Sequence, residues 1–286
     1  MSSAEIAANA IKDLSNEEVR LLYAFSNLIY NYEIIPERLL AIKSNMHIDR
    51  VRFGLSRLHK HGFISKEQDG YILLTAGLDA LALKILTEKG IISGFGKPIG
   101  VGKEADIFEC IGLNNRVALK FFRIGRISFR DIRKREFKDT HSWLTINISM
   151  AKREFLILTK LYNANVKVPR PIANVKHVIA MDLIEGKRLA NSILDNPMEI
   201  LRLLLDEIKK VYEKGIVIAD LSEYNILYDG NDIWLIDFPQ AISNKDKNAH
   251  ELLRRDIKNI LRYFERRYRV EYNLDEALAY ITSKLI

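Results

Sequence analysis

At 286 residues the chain can form one large or two modest domains with a sizeable core. Its 48% hydrophobic content contains no apolar run near the ~18 residues of a membrane span, and its start lacks a signal-peptide layout, so a cytoplasmic chain with no membrane contact is expected. A single cysteine, Cys110, excludes an intramolecular disulfide and a multi-cysteine zinc site, and the net charge of +7 lies wholly beyond residue 90.

Residues 15–75 read as a small helical unit closed by a hairpin. Ser15 and Glu18 have capping-box spacing, and Val19, Leu22, Phe25 and Ile29 continue as a helical apolar stripe. Pro36 suits a first-turn position and opens a helix over 37–43. Ile48, Val51, Leu55 and Leu58 predict a third helix, which Gly62 stops. Two short strands follow around a turn at Gln68-Asp-Gly70, and 77–89 predicts a closing helix ended by Gly90. Three helices and a two-stranded wing make a winged helix, placed over 1–90. Its third helix would offer Arg50, Arg57 and Lys60 to phosphates. A protein-interaction or packing domain is the competing reading.

From residue 94 the periodicity becomes strand-like. Residues 99–108 read as strand, tight turn, strand, and 117–122 as a third strand. Residues 123–138 are dense in arginine and lysine, interleaved with Ile127, Phe129, Ile132 and Phe137. That mixture suits RNA contact, although a solvated loop has a similar composition. Ser128 is its one hydroxyl and a candidate self-phosphorylation site. Helices are predicted over 149–162, 197–214, 248–267 and 273–285, with short strands at 178–184, 226–228 and 233–236.

Asp220-Leu-Ser-Glu-Tyr-Asn225, then Ile233-Trp-Leu-Ile-Asp237, carries the chemistry. An Asp, an Asn five residues on and an Asp closing an apolar strand are the base-and-metal pattern of kinase-type phosphoryl transfer. Mg²⁺ suits such a sparse oxygen set, completed by phosphates. Gly100 and Gly102 flank a turn whose backbone N–H groups could meet phosphates unobstructed by Cβ. Lys120 lies on an otherwise apolar strand and needs a partner if buried, while an edge-strand lysine reaching water is the plain alternative. For Asp237 the plain alternative is a turn or helix cap.

In order and spacing these parts resemble the RIO family of atypical serine/threonine kinases, in the subfamily with an N-terminal winged helix. The resemblance covers essentially the whole chain. It implies an α+β fold, a winged helix followed by a compact two-lobed kinase-like domain over 91–286, with lobes at 91–182 and 183–286. Gly100, Val101, Gly102, Lys103 and Glu104 match the phosphate-covering loop. Lys120 matches the phosphate-binding lysine and Glu154 the helix residue that fixes it. Met181 and Ile184 fall in the hinge, whose backbone would hold adenine. Asp220 matches the catalytic carboxylate, and Asn225 and Asp237 the metal ligands. The family also implies an aspartyl-phosphate at Asp237, ATP with Mg²⁺ (or Mn²⁺) as cofactors, and ribosomal RNA or a pre-small-subunit particle as partner through the winged helix and 123–138.

Two departures stand out. Ile218 occupies the place of the usual catalytic-loop histidine, and no Ala-Pro-Glu follows Asp237. The second is shared with RIO proteins and removes the ordinary peptide-docking lobe. The rival readings are a nucleotide-gated RNA- or ribosome-binding assembly factor with little turnover, a small-molecule phosphotransferase, and an ATP-sensing winged-helix regulator.

Overall fold

The computed structural model describes residues 1–113, 115–124 and 143–283. The chain forms two compact units, one of residues 1–152 with 172–181, the other of 153–171 with 182–286. The segment 125–138 and Ser128 lie outside the described residues.

The first unit begins with α1 (Ser3–Ala10), α2 (Asn16–Leu28), α3 (Glu37–Ser44) and α4 (Ile48–Lys60). Ser15 accepts from the Glu18 amide while the Glu18 carboxylate accepts from the Ser15 amide at 2.7 Å, the expected capping box. Ser2 and Glu5 repeat the motif at the head of α1, a helix that the sequence reading passed over. Strands β1 (Ile64–Glu67) and β2 (Gly70–Leu73) form the wing, and α5 (Thr75–Glu88) follows. Gly62 at φ +72° and Gly90 at φ +67° take the left-handed backbone that ends α4 and α5.

The same unit holds a five-stranded sheet of β3 (Gly94–Val101), β4 (Ala105–Ile111), β5 (Arg116–Phe122), β6 (Pro171–Val175) and β7 (Val178–Asp182). Its order is β3-β4-β5-β7-β6, with β3/β4 and β4/β5 antiparallel. Phe95, Phe108 and Phe121 pack edge to face or tilted beneath it, with Phe95 and Phe108 centroids 4.7 Å apart. Helix α6 (Trp143–Tyr162) starts in this unit, six residues earlier than its apolar period suggested.

A buried ionic cluster ties the winged helix to the sheet. The Arg123 guanidinium donates to both oxygens of Asp79 on α5, at 2.8 and 2.9 Å, and to Asp106 on β4 at 3.1 Å. His177, between β6 and β7, donates from Nε2 to Asp79 at 2.6 Å, which leaves its Nδ1 bare. Arg123 is therefore not part of an exposed basic segment; it is 4% exposed and paired on both sides. Burial works to raise the Asp79 carboxyl, but Arg123 and His177 hold it below the usual range.

The second unit contains β8 (Lys187–Arg188), α7 (Pro197–Glu213), β9 (Ile216–Val217), β10 (Ile226–Tyr228), β11 (Ile233–Leu235), β12 (Ile242–Ser243), α8 (Ala249–Tyr268) and α9 (Leu274–Thr282). Small antiparallel sheets join β11-β10-β8 and β12-β9. Leu201, Leu204, Leu205 and Ile208 of α7, with Ile257, Ile260 and Phe264 of α8, are buried apolar positions at helical spacing. Among the described residues no helix is long and apolar enough to cross a membrane.

Candidate active site

In the second unit a hairpin brings the expected carboxylates and amide together. Asn225 immediately precedes β10 and Asp237 closely follows β11. The pairing of Ile226 with Leu235 continues as an Ile236 amide to Asn225 carbonyl bond of 3.0 Å. Asn225 also folds back, its Nδ2 donating to the Asp220 carbonyl at 3.0 Å. That bond leaves the Asn225 Oδ1 as the hard ligand atom of the amide.

Two residues here hold left-handed backbone without being glycine, Ala219 at φ +62° and Asp237 at φ +73°. Such conformations cost free energy and gather at functional sites. Arg255 of α8 donates to the Ala219 carbonyl and braces the loop from below. Ile218 is 4% exposed, so an apolar side chain fills the position of the absent histidine.

The Asp220 carboxyl titrates above the usual range because of partial burial, with Arg255 opposing and the Asp237 charge adding to the rise. Beneath the loop, burial pushes the Asp256 carboxyl up to about 6, against the opposing pull of the Leu221 and Ala219 amides and Arg255. Neither Asp256 oxygen makes a hydrogen bond of ordinary geometry.

The fit to Mg²⁺ rests on the chemistry of the donor set. Two carboxyl groups and an amide oxygen come from one loop and hairpin, and such hard oxygen donors suit a small oxygen-seeking cation. Among the described residues no group of three or more His, Cys, Asp or Glu offers a full protein cage. The set is therefore the sparse kind that leaves room for phosphates.

The first unit holds the other expected residues. Gly102, Lys103 and Glu104 form the β3–β4 turn, closed by a Gly102 amide to Ala105 carbonyl bond of 2.9 Å. Gly100 and Val101 end β3, after register shifts around Pro98. A Cβ at Gly100 would meet only the Ile107 side chain, at 3.8 Å or more, so packing does not demand glycine there. Lys120 lies on β5, between β4 and β7, and is 5% exposed. The edge-strand alternative is thereby overturned, and the Phe122 ring centroid lies 5.0 Å from its ammonium. Met181 lies on β7, Ile184 follows in the second unit, and the chain passes from one unit to the other between Met181 and Asp182. Glu154, on the part of α6 that belongs to the second unit, is 4% exposed.

Sequence reasoning missed two contributors, Arg255 and Asp256. Both lie more than thirty residues from the loop they support, and only their place on α8 reveals the role.

A winged helix preceding a protein-kinase-like α+β core, with a paired-carboxylate and asparagine loop, defines an atypical protein kinase. Residues 106–277 match the RIO domain and residues 11–89 the Rio2 N-terminal domain. The chain belongs to the RIO family of serine/threonine protein kinases, in the subfamily with the winged helix. It is 38% identical over 269 residues to the RIO-type serine/threonine-protein kinase Rio2 of Methanocaldococcus jannaschii, covering 88% of this chain and 99% of that protein. It is 34% identical to the serine/threonine-protein kinase rio2 of Dictyostelium discoideum, covering 91% of this chain and 52% of that one. A Rio2 kinase of Chaetomium thermophilum, solved as an ADP/Mg²⁺-phosphoaspartate complex, superposes with a TM-score of 0.81 at 30% identity, over 97% of this chain and 89% of that one.

Proposed function

We propose that the chain is an ATP- and Mg²⁺-dependent RIO-type kinase and ATPase of the cytoplasm, acting in maturation of the small ribosomal subunit. The observation that carries the chemistry is the convergence of Asp220, Asn225 and Asp237 on a strained loop and hairpin.

Asn225 and Asp237 would hold Mg²⁺, which when bound neutralises charge on the nucleotide phosphates. The amides of the 100–104 turn and the ammonium of Lys120 would contact those phosphates, with Glu154 orienting Lys120. Backbone groups between Met181 and Ile184 would hold the adenine edge. Asp220 would accept the proton of an attacking hydroxyl or orient a water. In self-labelling, an Asp237 oxygen would attack the γ-phosphorus as the bond to ADP breaks, and water would later hydrolyse the acyl phosphate. A solved Rio2 relative carries a phosphoaspartate, which supports this route.

On α4 the Arg50 side chain is paired with Glu17 at 2.6 Å, Arg52 with Glu37 at 3.0 Å, and Arg57 with Glu18. The expected offer of Arg50 and Arg57 to phosphates is thus reduced, while Lys60 at the end of α4 is exposed.

The test is incubation with γ-labelled ATP and Mg²⁺, comparing wild type with Asp220→Ala and Asp237→Ala. Label on the protein or released phosphate, lost in both variants, is expected, and the protein-bound label should be hydroxylamine-labile. Nucleotide binding without any turnover in the wild type would make the chain a nucleotide-gated scaffold instead.

A further inference from the structure

Helix α8 carries a row of arginines that leads away from the catalytic loop. Arg255, Arg262 and Arg266 stand at i, i+7 and i+11 and share a face. Arg255 is bonded to Ala219, next to Asp220. Further along, a cleft of about 510 Å³ is lined by Ser222, Glu223, Asn259, Arg262, Arg266 and Arg267. Ser222 and Glu223 are the second and third residues after Asp220, so the cleft opens directly beside the loop that would meet the acceptor.

The arginines of this cleft are not explained by stability. Among the described residues neither Arg262 nor Arg266 pairs with a carboxylate, and both are exposed. Like charges one turn apart on a helix face repel, so the pair costs the helix a little. The frame around them is fixed. Tyr263 donates to the Leu189 carbonyl at 2.6 Å, Tyr268 to the Ser192 carbonyl at 2.9 Å, and Arg267 to the same carbonyl at 3.1 Å. Two guanidinium groups without an ion-pair partner among the described residues thus stand on this wall, beside the loop that would meet the acceptor.

We propose that this cleft is an acceptor-specificity site, in which Arg262 and Arg266 select an acidic protein segment beside the serine or threonine to be phosphorylated. The proposal rests on the kinase reading above. In an extended acceptor whose hydroxyl reaches Asp220, side chains two to four positions away lie roughly 7–13 Å off, and Arg262 stands about 10 Å along α8 from Arg255, with Arg266 one turn beyond. Guanidinium groups bind carboxylates through paired, charge-assisted N–H bonds. A single-stranded RNA fits less well. It needs a run of phosphate contacts and free stacking faces. Here the Tyr263 and Tyr268 rings pack against each other at 6.1 Å and against Phe264 at 5.4 and 6.0 Å, so their faces are engaged within the protein.

The test uses the full chain with Mg²⁺-ATP and three serine peptides alike except for Asp/Glu, Gln or Lys flanks. Wild type should show a KM about fivefold to tenfold lower for the acidic peptide than for the Gln peptide, at similar kcat. The double variant Arg262→Glu/Arg266→Glu should lose that preference and favour the Lys peptide, a reversal that misfolding cannot produce. Anisotropy of the labelled acidic peptide on the protein should follow the same order. Equal KM for all three peptides in the wild type, or a preference untouched by the charge reversal, overturns the proposal. So does loss of single-stranded RNA binding in the double variant with peptide preference intact, which would assign the cleft to nucleic acid. Wild-type labelling at Asp237 separates the two levels: present without acidic preference, only the specificity site falls; absent altogether, the kinase reading falls with it.

Discussion

Ala219 and Asp237 concentrate backbone strain next to the two carboxylates of the proposed chemistry, at φ +62° and +73°. The two positions differ in kind. A short polar side chain visits the left-handed region comparatively easily, so Asp237 can form the turn while its carboxylate stays available to the proposed Mg²⁺. Alanine has no such compensation, and its Cβ crowds the following carbonyl. Ala219→Gly should therefore raise unfolding stability by roughly 0.5–1 kcal/mol, as read by urea titration. Phosphate transfer should fall in the same variant, because the strained conformation would no longer be enforced beside Asp220. A gain in stability with unchanged transfer would mean that Arg255 alone positions the loop, through its bond to the Ala219 carbonyl.

At the scale of elements, α2 and α4 are joined through Glu18, which does two tasks. Its carboxylate closes the capping box on Ser15 and also accepts from Arg57, although the side chain is only 1% exposed. Arg57→Ala strips a nearly buried carboxylate of its cation, and a loss of about 1–2 kcal/mol is expected in thermal or chemical unfolding. Arg50→Ala, whose bond to Glu17 lies on the surface with the arginine 71% exposed, should change stability by less than about 0.5 kcal/mol. A larger loss from Arg50 than from Arg57 would overturn this ranking. These same helices show what the sequence made legible. Their starts and stops follow from Ser15, Pro36 and Gly62, which act locally. Residues Asp220, Asn225 and Asp237 were legible for a similar reason, since one hairpin places them. The Asp79–Arg123–His177 cluster was not, because its members are 44 and 54 positions apart and each looks like an ordinary surface residue. Strand β6 was missed as well: Pro171-Ile-Ala-Asn-Val175 has neither alternation nor a β-branched run to mark it, and its place beside β7 defines it.

Across the whole molecule, two buried groups give the two units opposite responses to acid. In the first unit, burial lowers the His177 pKa from 6.5, with Arg123 acting in the same sense and Asp79 opposing. A histidine depressed in the folded state supports folding above its unfolded pKa and loses that support as pH falls. Asp79, held below 3.8, stays ionised throughout and does not contribute to this change. In the second unit, Asp256 rises from 3.8 to about 6, facing Arg255 and the Asp220 charge. A carboxyl raised in the folded state contributes stability that is complete below 3.8 and fades as pH climbs through 6. Moving from pH 7.5 to 5 should therefore reduce amide-exchange protection in α5 and in β6–β7, while increasing it in α8 and the 219–221 loop, once rates are corrected for intrinsic pH dependence. His177→Gln should flatten the first response and Asp256→Asn the second, each without altering the other, since the two residues belong to separate compact units. A parallel loss of protection in both units would instead show that self-repulsion of the +7 chain outweighs either buried group.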